Sequence, residues 1–168
     1  MHSKRVTSAA DRRIVVDKRA RTLAVYENER LEHSYSVILG RNWEMDKAVE
    51  GDEATPIGEF YICAKNPRSR FFLSLCISYP NAEDAERGLA AQLITPEEHA
   101  DILAALARRA VPPQRTRLGG EIYIHGEDPS PGRGQGRWGT RGCIALDNRS
   151  MQELYDRIVV GAPVLITA

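Results

Sequence analysis

The stretch EIYIHGEDPSPGRGQGRWGTRGCIAL, residues 121–146, decides the reading of this chain. EIYIHG (121–126) has the Ile–Tyr–Ile pattern of a strand, ending at His125. A loop follows with Gly at 126, 132, 134, 136 and 139 and Pro at 129 and 131. Such a composition favours turns over regular structure. CIAL (143–146) then resumes as a strand or a tight apolar turn. A loop that leaves a strand end and returns to the same sheet brings its two ends together. His125 and Cys143, separated by 18 positions, are therefore expected to meet in space.

Those residue types suit thiol acyl transfer. A cysteine nucleophile needs a base within reach or a lowered pKa to react as thiolate near neutrality. An imidazole can supply either. Gly142 lets the backbone approach a substrate closely, and the N–H groups of 141–143 are candidates to face a developing oxyanion. The Thr140 hydroxyl is a candidate to orient His125 or the thiol. Arg141 would add positive charge beside the sulfur.

Outward from this stretch the pattern is β. RIVVD, TLAVYE and HSYSVILG between Arg13 and Gly40 are short runs rich in Val, Ile and Tyr. Residues 41–55 read as a polar, acidic loop. Thr55-Pro56-Ile57-Gly58 turns into a strand over 58–65, and Asn66-Pro67-Arg68-Ser69 reads as a turn into a second strand over 70–78. Residues 82–93 predict a helix weakened by Gly88. Thr95, Pro96 and Glu98 form a capping box for a second helix, whose Ile102, Leu103, Leu106 and Ala110 share a face. That helical segment is packing or a lid over a groove. Asp147 or Asn148 caps a last helix carrying Met151, Leu154, Tyr155 and Ile158, and VLIT closes as a strand. The class expected is mostly β with inserted helices (α+β), with a tail over 1–12 and one domain over 13–168.

The chain has 168 residues, 42% of them hydrophobic and 27% charged, which is ordinary globular composition. Lys+Arg and Asp+Glu both number 23. Zero net charge argues against a nucleic-acid or anionic-membrane binder. The balance hides an Arg excess over 108–141, which is a solvated face by default and, at Arg141, a candidate for attracting substrate carboxylates. Three Cys, at 63, 76 and 143, with no CxxC, exclude a disulfide framework and a structural zinc site; no metal is expected. Cys63 and Cys76 lie in apolar, strand-like runs and read as small buried hydrophobes. No run approaches the roughly 18 apolar residues of a membrane span. The N-terminal MHSKRVTSAADRR has basic residues but no apolar core, so no secretory signal is visible. GRGQGR lacks the GK[ST] ending of a phosphate-binding loop.

IHG, a spacer and TRGCIAL together resemble the signature of the L,D-transpeptidase (YkuD-type) catalytic domain. ATPIGEFYI resembles that family's TPxGxF/Y turn and strand, and DNRSMQELYDRIVVGAPVLI its terminal helix, Gly-x-Pro turn and last strand. The resemblance covers roughly residues 13–167. It implies Cys143 as nucleophile, His125 as base, Thr140 at the Ser/Thr position and Gly142 as the glycine of the oxyanion turn. It implies attack on a peptidoglycan stem peptide, a thioester on Cys143, and resolution by an amine or by water, with no cofactor. Gly126, Arg141, Trp138 and Tyr79 are the substrate-binding candidates. Trp138 packs the loop down or stacks on substrate; Tyr79 lines the cleft or belongs to the core. The family's peptidoglycan partner implies a periplasmic or cell-envelope location.

Two positions depart from the common box. Arg141 stands where a His is frequent, and Ala145 where Arg or Asn is frequent two residues after the cysteine. The branch with an apolar–Ala pair there includes hydrolases that undo L,D-type attachments. Three functions follow from the resemblance: transpeptidation, hydrolysis at the same Cys–His site, and a wall-binding domain without catalysis.

Overall fold

A computed structural model describes residues 11–127 and 139–168. Eight strands form one curled sheet in the order β3-β2-β1-β8-β4-β5-β6-β7. β1 (Arg12–Asp17), β2 (Thr22–Glu27) and β3 (Arg30–Ser36) make an antiparallel meander. Alternation turns Ile14, Val16, Leu23, Val25 and Tyr35 inward, and all five are buried. β8 (Pro163–Thr167) runs parallel to β1 and closes the chain against its own start.

β4 (Gly58–Ser69) carries the sheet around its bend. Gly58–Tyr61 pairs with β8, whereas Ile62 onward pairs with β5 (Phe72–Ile77). The expected turn at 66–69 is instead the far end of β4, and the hairpin turns at Arg70–Phe71. Pro67 is accommodated because the pairing register shifts between Asn66 and Ser69, where no ladder N–H is required of it. β6 (Tyr123–His125) pairs antiparallel with β5, and β7 (Ile144–Ala145) lies parallel to β6.

α1 (Ala82–Ala90) and α2 (Pro96–Ala107) each begin with a complete capping box, on Asn81 and Thr95. Gly88 sits inside α1 because a Cβ there would meet the Leu118 side chain at 2.6 Å. α2 buries Ile102 and Ala105, and Ile102 packs in a small cluster with Ala85, Ile94 and Leu118. Neither helix supplies a residue to the cleft described below, so the pair packs against the body rather than covering the groove. α3 (Asn148–Arg157), capped by Asp147, buries Met151 and Leu154 in the main core. Among the described residues no helix is long and apolar enough to cross a membrane.

Candidate active site

His125 is the last residue of β6, buried at 4% exposure. Its Nδ1 lies 2.7 Å from the Gly126 carbonyl oxygen. A carbonyl only accepts, so this bond requires a proton on Nδ1 and leaves Nε2 as the basic nitrogen. The Phe71 ring stacks on the imidazole at 4.5 Å. Burial pushes the imidazole pKa below its ordinary value, and the Gly126 carbonyl opposes that shift. His125 is therefore neutral at pH 7.

Cys143 immediately precedes β7. The parallel register of Ile124 with Ile144 sets Cys143 beside Tyr123, with His125 two residues further along β6. The Tyr123 N–H donates to the Cys143 sulfur at 3.4 Å, and the thiol donates to the Glu121 carbonyl at 3.4 Å. Burial pushes the thiol up to about 11; the Tyr123 N–H and the Lys47 charge pull it down, and the Glu121 charge raises it. The resting pair is a neutral thiol and a neutral imidazole. Of the two routes open to a cysteine nucleophile, a base within reach or a lowered pKa, the second is not the one found here, because withdrawing sulfur from water outweighs the nearby positive charge.

The two groups open into one cleft of about 680 Å³, which Thr140 and Arg141 also line. Thr140 does not orient the thiol or the imidazole. Its hydroxyl donates to the Cys143 carbonyl at 2.6 Å and accepts the Gly142 N–H at 3.0 Å, closing the turn that presents the cysteine. The Gly142 N–H is thereby engaged and is not directed at an oxyanion. Gly142 has φ +132°, and a Cβ there would meet the Ala54 carbonyl oxygen at 2.8 Å, so the turn requires glycine on both counts.

The turn is anchored from the other side of the chain. Buried Thr55 donates its hydroxyl to the Gly142 carbonyl at 2.8 Å and accepts the Gly40 N–H at 2.9 Å. Backbone bonds from Thr140 N–H to Leu39 and from Arg41 N–H to Thr140 complete the seam. Thr55 was legible only as a turn residue before a strand. A second support, also missed, is Gln114. Its side-chain oxygen accepts the Glu121 N–H at 2.7 Å, while its amide donates to the Tyr79 and Pro112 carbonyls at 2.8 Å each. It holds the segment whose carbonyl receives the Cys143 thiol.

Several candidates fall elsewhere. Tyr79 is fully buried and donates its hydroxyl to the Leu118 carbonyl at 2.7 Å; its ring packs near Phe60 in the core, away from the cleft. Gly126 serves the imidazole through its carbonyl and does not line the cleft. Arg141 is exposed on the rim. Of the described arginines of 108–141 it alone lines the cleft; Arg109 instead lies over the Tyr61 ring and donates to the Gly161 carbonyl. Cleft charge is mixed, with Arg41, Lys47 and Arg141 facing Glu50, Glu53 and Glu121. Ala145 is buried and exchanges backbone bonds with Ile38. Trp138, the Gly-rich run and most of the N-terminal tail lie outside the described residues. Among the described residues no cluster of His, Cys, Asp and Glu could hold a metal ion.

The Bacillus subtilis protein YqjB, a candidate L,D-transpeptidase, is 29% identical over 157 residues, spanning 92% of this chain and 70% of that protein. The solved helical cell shape determining protein Pgp2 of Campylobacter jejuni is 24% identical over 92% of this chain, with a TM-score of 0.65. The L,D-transpeptidase of Mycobacterium smegmatis is 18% identical over 95% of this chain, with a TM-score of 0.54. The chain spans 46% and 59% of the lengths of those two structures, and at these identities they establish the fold alone. The family pattern itself, YkuD, matches residues 11–166, from the first strand of the sheet to the last. The chain therefore belongs to the L,D-transpeptidase catalytic domain family.

Proposed function

We propose that this chain is a peptidoglycan-modifying cysteine acyltransferase, an L,D-transpeptidase that works through a thioester on Cys143. The observation that carries this reading is the Cys143 thiol and His125, its Nδ1 held on the Gly126 carbonyl, opening into one cleft. A cleft of this volume suits a peptide-sized ligand. A stem-peptide carbonyl enters beside the sulfur. As Sγ attacks the carbonyl carbon, His125 Nε2 takes the thiol proton, so no free thiolate has to form beforehand. The tetrahedral intermediate collapses, the C–N bond breaks, and the imidazolium returns the proton to the departing D-Ala amine. An amine from a second stem then attacks the thioester, giving its proton to His125, and Cys143 leaves as the thiol. Arg141 and Arg41 on the rim suit the carboxylates of stem peptides. Such an enzyme acts where peptidoglycan lies, outside the cytoplasmic membrane.

Ala145 favours a second reading. Its buried methyl offers no polar group to position an acceptor amine. Water would then resolve the thioester, and the enzyme would be an L,D-specific hydrolase. Incubation with a stem tetrapeptide, followed by mass spectrometry, tests both. The proposal expects an acyl adduct on Cys143 and, with an acceptor stem present, a cross-linked dimer. Shortened stems without dimers make it a hydrolase. A folded protein that forms no adduct is a non-catalytic wall-binding domain.

A further inference from the structure

Cys63 and Cys76 take no part in this chemistry, yet the fold places them together. Both are buried free thiols. They stand on β4 and β5, whose pairing shifts register between Ile62 and Ala64. Pairing continued from Ile62–Ile77 sets Cys63 opposite Cys76, on the same face. The register shift then sets both Cys63 and Ala64 against Cys76. There the two sulfurs lie 3.0 Å apart, within an apolar cluster that includes Tyr61, Leu106 and Tyr123. Cys76 also lines a second cavity, of about 380 Å³, beside Val111 and Tyr123. A bonded pair needs about 2.05 Å between sulfurs, which small side-chain rotations across paired strands can supply.

We propose that Cys63 and Cys76 are a disulfide-forming site that takes a small organic disulfide as oxidant through that second cavity. A thiolate of the pair attacks RSSR, forming a mixed disulfide and releasing RS⁻. The second cysteine, as thiolate, attacks the protein sulfur of the mixed disulfide and releases the other RS⁻. Two protein thiols are oxidised to one disulfide, RSSR is reduced to two RSH, and the two cysteine protons end on the released sulfurs. Cys76, which lines the cavity, is the attacking sulfur, and Cys63, 3.0 Å away, resolves the mixed disulfide. The bridge ties β4 to β5 directly behind Tyr123, since Cys76 pairs with Tyr123 across β5 and β6. It braces the strand whose N–H holds the Cys143 sulfur and leaves Cys143 itself reduced. The inference stands independently of the proposed activity.

The test uses Cys143→Ala, which carries only the two thiols in question. The protein is incubated with oxidised glutathione, unfolded, treated with iodoacetamide and weighed. The expected product is unalkylated, lighter than the reduced protein by two hydrogens, and yields a peptide linked through Cys63 and Cys76. Its thermal midpoint rises by roughly 5 °C and falls back on reduction. Two alkylated cysteines, or a glutathione adduct as the only product, overturn the proposal. If Cys143→Ala does not fold, the wild-type protein is mapped in the same way. A 63–76 link is again expected, and a link that includes Cys143 overturns the site.

Discussion

The Thr55 hydroxyl donates to the Gly142 carbonyl at 2.8 Å, across a separation of 87 positions. The same oxygen accepts the Gly40 N–H. One buried hydroxyl thus joins the acidic loop, the end of the β3 segment and the turn that presents Cys143. Thr55→Val keeps the shape and removes both bonds. It should cost about 1–3 kcal/mol, the scale of leaving buried backbone groups unpaired. Denaturant unfolding measures that loss. Acylation of Cys143 should slow as well, and an unchanged acylation rate would show that the turn holds without Thr55.

Gln114 supports the other side of the thiol. Gln114→Ala removes three hydrogen bonds and releases Glu121, which is held at φ +55°. The expected result is a fall in kcat of about tenfold or more, equivalent to 1.4 kcal/mol per decade, with a smaller change in KM. Gln114→Glu keeps an acceptor for the Glu121 N–H but sets a carboxylate against the Tyr79 and Pro112 carbonyls. It should fare no better. Steady-state kinetics of both variants beside their thermal midpoints separates positioning from simple loss of stability.

Cys143→Ala should abolish turnover, and Cys63→Ala should leave it near wild type. Cys63 is buried against Cys76 and does not line the cleft. Equal loss of activity in both variants would assign the nucleophile wrongly.

The titration behaviour gives a signed expectation. Alkylation of Cys143 by iodoacetamide should be slow at pH 7 and climb towards pH 11, since the thiol is held up to about 11. Turnover, by contrast, needs only neutral His125, whose pKa lies below its ordinary value, so activity should persist below pH 6.5. For stability, the folded state keeps the Cys143 proton at pH values where the unfolded chain has lost it. Stability therefore falls as pH rises from about 9 to 11. Cys143→Ala should remove that alkaline slope, and urea unfolding across pH 8–11 would show it. An alkylation profile centred near neutrality would instead mean a pre-formed thiolate.

The strands, the capped helices and the placing of His125 and Cys143 on one cleft were legible because each rests on local chemistry. Alternating apolar residues, Thr95-Pro96 with Glu98, and a Gly-rich connection between two strand ends act over a few residues. Tyr79 was ambiguous because an aromatic ring after a strand can face either way. Its burial depends on Leu118 and Phe60, which arrive from other segments. The 66–69 stretch misled because Asn-Pro is a turn signal, whereas a register shift lets the strand run past it.

By itself, then, the sequence determined the β-rich class and the family, and it singled out the two groups proposed to react, since these follow from short motifs and hydrophobic periodicity. Only the tertiary structure decided how the groups are held. It made Thr140 a turn closer, brought Thr55 and Gln114 to the segments on either side of Cys143, raised the thiol pKa and set Cys63 against Cys76. Those outcomes depend on burial and on partners distant in the chain. Desolvation and long-range hydrogen bonds exist only once the sheet has closed.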